Sequence, residues 1–467
     1  MKRDTVPPVG FATDSAMNGG TSWETIAAEA LGHFKELLRI DTTNPPGNER
    51  AAAAYLARVL DREGIPYQIV ESEPTRASLV ARLTGTGRHR PLLLNAHLDV
   101  VPVERERWTY DPFAGEEHDG CVWGRGAVDM KNMAAMSLMT LILLKRAKVP
   151  LDRDVIFAAV ADEEAGSRHG ARFLVEKHPE LVRAEYVLNE IGAYTFYVGD
   201  AVFYPIQVAE KGICWFELSA EGTAGHGSMP RPDNAVVRIA RAIEALGRVR
   251  LPFHSVPVVE RFVRGLMDRA PPIAQRAAPY LVKPAFARTL LSVVRRTDPE
   301  QAIALEALLR NTASPTVLSG GRKVNVIPSK ASVLVDGRML PGQTVDDFLA
   351  EIQRVVGDDL KVRVIEQHEG TVFRTDTTLF EAIGEAIERS HPGAVAVPFM
   401  IPGFTDSYAY GTLGATCYGF SPVKIPKGMS FTALYHGHDE RIPVEGFLWG
   451  THVLADLVHD FCRAGGA

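Results

Sequence analysis

The sequence predicts an α/β protein: a mixed sheet flanked by helices, with a smaller α+β domain inserted near its middle. Three observations lead there. Over roughly the first 200 residues short apolar runs alternate with helical stretches, the pattern of strands buried between helices. After Asp200 the pattern changes to that of a mixed α+β domain, including a run of alternating apolar and polar residues. Near residue 370 the first pattern returns. We therefore divide the chain into a main domain, residues 1–206 and 370–467, and an insertion, residues 207–369. At 467 residues the chain exceeds the size at which one core stops growing, so both parts can bury their own.

Taken in order, residues 23–38 and 49–63 read as helices, and 67–70, 78–83 and 92–96 as strands. A helix over 133–148, a strand over 155–161, a helix over 171–177 and a strand over 186–188 complete the first run. After Asp200, 206–208, 213–220 and 330–338 read as strands and 234–246 as a helix. The stretch 252–311 is Arg- and Pro-containing with helical segments. A helix over 379–390, strands over 395–399 and 415–420, and a helix over 444–462 close the main domain.

Composition removes several classes of function. Acidic residues number 57 and basic residues 51, and no block of like charge marks a face for nucleic acid or anionic lipid. Cys121, Cys214, Cys417 and Cys462 stand far apart without CxxC spacing, which argues against a thiolate zinc site and a disulfide framework. They read as buried thiols in a reducing cytoplasm. Residues 1–20 begin with basic residues but lack the apolar core of a signal peptide, so they read as a polar leader. The longest apolar stretch, 133–144, is shorter than the ~20 residues a membrane-spanning helix needs.

Ligands of open α/β sheets bind beyond the carboxyl ends of the strands, and there the chain places its metal-capable side chains. LLLNAHLDVVP ends in His97 and Asp99, two apart and on one side of an extended chain. GRGAVDMK sets Asp129 after a glycine-rich turn. FAAVADEEAG ends in Asp162, Glu163 and Glu164, whose adjacent side chains project in different directions, and YVLNE ends in Glu190. HGHDE offers His436 and His438 before the last helix. Each alone is more often a turn former, a cap or a satisfied polar side chain. Converging carboxylates and imidazoles, however, are what borderline divalent metals take as ligands.

These motifs, in this order, resemble those of the dinuclear zinc aminoacylase and carboxypeptidase superfamily, which includes acetylornithine deacetylase, succinyl-diaminopimelate desuccinylase and carboxypeptidase S. The resemblance runs from about Thr25 to Leu457. It implies a zinc-peptidase-like catalytic domain carrying an inserted lid and dimerisation domain. It also implies two divalent ions, zinc first and cobalt or manganese as alternatives, with Asp129 bridging. His97 and Glu190 would complete one site, Glu164 and His436 the other. His436 is preferred to His438 because the family's ligand precedes a glutamate by four residues, here Glu440. Asp99 would orient the His97 ring, and Glu163 would be the general base.

In the insertion, GTAGHGSMP implies that His226 stabilises the oxyanion in a partner subunit, hence a homodimer. KVNVIP and DGRMLPG imply that Asn325 and Arg338 bind substrate polar groups and a carboxylate. PGFTDS stands where the family binds the substrate carboxylate, pointing to Gly403 and Thr405. Two departures are visible. Lys131 is followed by Asn132 and Met133 where the common form has two glycines, and the lid is longer, as in the carboxypeptidase S branch. The implied reaction is cleavage of the amide bond of an N-acyl-amino acid or short peptide, in the aminoacylase, dipeptidase or carboxypeptidase manner. A metal-dependent phosphohydrolase and a non-catalytic binding homologue are the rivals.

Overall fold

The structure, a computed structural model, describes residues 21–269, 275–276, 280, 282–297 and 299–465. The leader expected at residues 1–20 lies outside them. The chain divides into two compact units. One runs to Tyr197 and resumes over Asp376–Ala396 and Ala409–Ala467; the other comprises Val198–Thr375 and Val397–Tyr408. The sequence alone keeps residues 397–408 with the main domain. In the structure they belong to the second unit, where the Lys211 amide donates to the Gly403 carbonyl and Thr405 bonds to Glu210.

The first unit opens with α1 (Trp23–Arg39), capped by Ser22, and α2 (Glu49–Glu63), ended by Gly64 in the left-handed region. Strands β1 (Tyr67–Glu73), β2 (Arg76–Leu83) and β3 (Leu92–His97) follow, then α3 (Lys131–Arg146), β4 (Val155–Val160), α4 (Ala171–Lys177) and β5 (Tyr186–Asn189). β3, β4 and β5 are buried throughout, as strands covered on both faces must be, which is why they read as continuous apolar runs. α3 is buried from Lys131 to Leu144 and is apolar nearly all round.

The second unit contains β6 (Ala201–Glu210), β7 (Gly212–Glu221), α5 (Ala235–Arg248), β8 (Thr312–Gly320), β9 (Lys330–Met339), α6 (Val345–Val356) and β10 (Lys361–His368). The helices Pro257–Met267, Pro284–Thr297 and Pro299–Ala307 occupy the long stretch before β8. β8, β9, β7 and β10 form an antiparallel sheet in that order. One face packs Phe216, Leu218, Val333 and Val335 against Ile239 and Leu246 of α5 and Phe348 and Ile352 of α6. Strict alternation of burial along β9 follows from that one-sided core.

Back in the first unit, α7 (Thr378–Ser390), β11 (Thr416–Gly419) and α8 (Val444–Cys462) complete the fold. The sheet order there is β1-β2-β4-β3-β5-β11, antiparallel through β2–β4 and parallel from β4 to β11. Because β4, β3 and β5 are parallel, the residues that follow them emerge at one edge of the sheet. α8 packs on α3 with two glycines where the chain crosses it: a Cβ on Gly450 would lie 1.8 Å from the Pro422 carbonyl oxygen, and on Gly446 2.1 Å from that of Lys424.

Among the described residues no helix is long and apolar enough to cross a membrane. All four cysteines are buried and none is in a disulfide.

Candidate metal centre

His97 is the last residue of β3, and Glu190 directly follows β5. Glu163 and Glu164 start a short 3₁₀ turn after β4, behind Asp162 in the left-handed region. Asp129 precedes α3, and His436 lies between the short helix Phe431–Leu434 and α8. The fold brings these side chains into one cluster. Donor atoms of His97, Asp129 and Glu164 lie within 4.8 Å of one another, and so do those of His97, Glu163 and Glu190.

Asp129 stands at the centre. Its Oδ1 is 3.0 Å from His97 Nε2, and its Oδ2 is 3.1 Å from His436 Nε2. His436 Nε2 is also 3.1 Å from Glu164 Oε2, and His97 Nε2 is 3.8 Å from Glu190 Oε2. His436, exposed on its outer side, is thus the imidazole at the cluster; His438, two residues on, is exposed.

The electrostatics are those of crowded negative charge. His97 is held well above the usual imidazole range: burial opposes its charge, and hydrogen bonds to Asp129 and Glu190 overcome that opposition. Hydrogen bonds to Asp129 and Glu164 push His436 up to about 10. The Glu164 carboxyl is pushed up to about 7, first by burial and then by the charge of Asp129. Asp129 itself stays below the usual range; burial raises it, but hydrogen bonds from His436 and His97 lower it further.

These residues fit a divalent metal. Glu164 Oε1 is buried and has no hydrogen-bond partner, which is costly for a carboxylate oxygen unless a cation meets it. The donors are carboxylate oxygens and imidazole nitrogens without a thiolate, a set that suits zinc, cobalt or manganese.

Surrounding groups fix the donors. His97 Nδ1 lies 3.0 Å from the Asp99 backbone oxygen and 3.6 Å from its carboxylate. The carbonyl therefore orients the ring at the shorter distance, while the Asp99 carboxylate accepts the amides of Glu163 (3.1 Å) and Glu164 (3.2 Å). Sequence reasoning used Glu440 only as a landmark. In the structure it is fully buried and accepts from the amides of Gly126, Val128 and Asp129 and from Arg125 Nη1, at 2.7 to 3.1 Å. It thus shapes the glycine-rich turn that presents Asp129. A turn of consecutive amides needs such an acceptor, and that requirement was the signal available for it.

The remaining predicted residues lie in the second unit. His226 is exposed on a two-residue strand paired with Val326–Ile327; its Nδ1 is 2.7 Å from Ser228 Oγ, and the Gly227 amide donates to the Asn325 carbonyl. His226 and Asn325 are therefore neighbours. Arg338 donates to both carboxylate oxygens of Asp336 (2.7 and 3.0 Å), and its guanidinium lies over the Phe404 ring at 5.2 Å. This places it beside the loop carrying Gly403, which is partly exposed. Thr405 is fully buried, and its amide and hydroxyl both donate to Glu210 (3.0 and 2.8 Å).

A mixed α/β sheet with carboxylates and imidazoles gathered beyond its parallel strands is an arrangement suited to metal-dependent hydrolysis. The chain belongs to peptidase family M20/M25/M40, whose model matches residues 93–460. It is 27% identical over 438 residues to aminoacylase-1 of Sus scrofa, covering 91% of this chain and 93% of that protein. It is 31% identical over 366 residues to the N-fatty-acyl-amino acid synthase/hydrolase PM20D1 of Xenopus tropicalis, covering 76% and 69%. Its fold is that of the M20 family metallo-carboxypeptidase Sso-CP2 of Sulfolobus solfataricus, with a TM-score of 0.69 at 17% identity, covering 92% of this chain and 98% of that one. The chain is accordingly a hydrolase of the amidohydrolase and exopeptidase kind.

Proposed function

We propose that the chain is a two-metal hydrolase that cleaves the amide bond of N-acyl-amino acids or short peptides beside a free carboxylate. The observation that carries this reading is Asp129, whose two carboxylate oxygens face two different imidazoles, His97 and His436. Asp129 would bridge two ions, with His97 and Glu190 holding one and Glu164 and His436 the other; zinc is the first choice, cobalt and manganese the alternatives. A pair of divalent cations supplies Lewis-acid polarisation of the scissile carbonyl and acidifies a water molecule.

The chain's own residues supply the rest. Glu163 takes the proton of the attacking water and returns it to the leaving amine. His226, from a partner subunit, donates to the developing oxyanion, a contribution commonly worth ~3–4 kcal/mol of barrier. Asn325, Arg338 and the backbone at Gly403 receive the substrate's polar groups and carboxylate, the planar guanidinium suiting the latter. Thr405 acts through the loop conformation that Glu210 imposes. The second unit serves as lid and dimerisation domain. Support for a homodimer comes from β8 at the edge of its sheet, where Val317 and Leu318 are exposed, and from exposed Val236 and Val237 on α5. Four buried cysteines outside any disulfide support a cytoplasmic setting.

The test is amine release from a panel of N-acyl-amino acids, dipeptides and C-terminally free peptides, before chelation, after chelation, and after return of zinc, cobalt or manganese. Chelation-sensitive turnover restored by metal is the expected result. Full activity of a metal-free preparation, or release of phosphate from esters without amide cleavage, would overturn the reading.

A further inference from the structure

Glu163 and Glu164 are consecutive, yet the function proposed above, on which this inference rests, gives one the base's task and the other a ligand's. The short turn that separates them must therefore be held rigidly. It begins at Asp162, whose φ of 67° lies in the left-handed region, and the amides of Glu163 and Glu164 donate to the Asp99 carboxylate.

Two side chains outside the cluster complete the hold. Asn44 Nδ2 donates to Asp99 Oδ2 at 2.8 Å and to Asp162 Oδ1 at 3.1 Å, joining the carboxylate under the turn to the one that starts it. Arg76 Nη2 donates to Asp162 Oδ1 at 2.6 Å, while its Nε and Nη2 grip Glu49 at 2.9 Å each and its Nη1 reaches the Pro46 carbonyl at 3.2 Å. The second Asp162 oxygen accepts the His169 amide at 3.0 Å, which closes the loop. Every member is buried: Glu49, Asp99, Asp162, Asn44 and Arg76 are 8% exposed or less.

The chemistry of this arrangement is specific. Asp99 and Asp162 would repel one another if nothing stood between them, and a neutral amide with two N–H groups satisfies both without adding charge. The guanidinium supplies the positive charge that three buried carboxylates need, in the fork geometry a lysine lacks. Neither Asn44 nor Arg76 falls within the residues that match the family model, 93–460.

We propose that Asn44 and Arg76 are positioning residues for the hydrolytic reaction, aligning Glu163 and Glu164 through the Asp99 and Asp162 carboxylates. The test uses the full-length, metal-loaded enzyme and its Asn44→Ala, Asn44→Asp and Arg76→Lys variants, with Glu163→Gln as the control for the base. Each is assayed on the best N-acyl-amino acid of the panel, at a temperature where circular dichroism shows it folded. The cobalt(II)-substituted forms are compared by visible absorption.

In the folded variants kcat should fall about 10- to 100-fold with KM little changed, and the cobalt band should shift, as expected when a group supporting a ligand is lost. Asn44→Asp should be worse than Asn44→Ala although it is nearly isosteric, because it sets a third negative charge between two others. A packing role predicts the opposite order.

Wild-type activity with an inactive Glu163→Gln, but kcat within about twofold of wild type in Asn44→Ala and Arg76→Lys, would overturn the positioning role and leave the proposed function standing. An unshifted cobalt band in those two variants, or Asn44→Asp milder than Asn44→Ala, would likewise overturn it. A wild-type protein that cleaves no amide in the panel would sink the proposed function and this inference together.

Discussion

Single side chains at the metal centre divide into those that hold charge and those that hold shape. In the proposed function Glu163 is the base and not a ligand, so Glu163→Gln is expected to lower kcat by about 10²–10⁴-fold while metal content by elemental analysis stays at the wild-type level. Glu440 works at one remove, with its oxygens accepting three backbone amides and Arg125. Glu440→Gln would turn an N–H group toward donors and leave the buried Arg125 without its counter-charge. Loss of ~3–5 kcal/mol is expected, with metal affinity about 10- to 100-fold weaker, measured by denaturant unfolding and by titration against a chelating indicator. His97 and Glu190 announce themselves by position at strand ends. Glu440 does not, because its partners are backbone amides more than 300 residues away in sequence.

Among the elements, the apolar periodicities marked most helices and strands to within a few residues, and α2, α4 and α8 begin and end where the pattern does. α3 starts two residues earlier than its apolar run, at Lys131. That lysine is fully buried and donates to the carbonyls of Leu37 and Ile40 at the end of α1, a satisfied polar group that hydrophobicity cannot reveal. The Asn132 found where the common form has glycine donates to Ser421 Oγ at 3.3 Å. α8 depends on Gly446 and Gly450 for its close approach to residues 422–424. Gly450→Ala should therefore destabilise by at least the ~1–3 kcal/mol of overpacking, seen as a lower melting temperature. Thr344, whose hydroxyl and partner Asp347 form the capping box of α6, should cost about 1 kcal/mol when replaced by alanine. Equal melting temperatures for these variants and the wild type would contradict both assignments.

Over the whole molecule, buried titratable groups set how stability follows pH. Glu210 in the second unit is fully buried, and burial pushes its carboxyl up to about 8, against the hydrogen bonds from Thr405 and Thr371 that favour its charge. A carboxyl raised on folding contributes stability that is complete below its unfolded value near 4.5 and is lost as pH climbs through 8. Glu210→Gln should flatten that decline, and a urea midpoint that falls equally between pH 5 and 8 in both proteins would rule it out. Chelation should act on the other unit: Asp129, Glu163, Glu164 and Glu190 repel one another without cations, so the metal-free protein is expected to melt at a lower temperature than the loaded one.

The order of strands and helices, the α/β class and the identity of the strand-end donors follow from the sequence by itself, because each rests on local periodicity or on the residue next to an apolar run. Tertiary structure alone decided which carboxylate faces which imidazole, that residues 397–408 belong to the second unit, and that Thr405 is turned inward to Glu210. Those outcomes depend on side chains and amides brought together from distant parts of the chain, where burial and hydrogen-bond satisfaction, not spacing, select the partner.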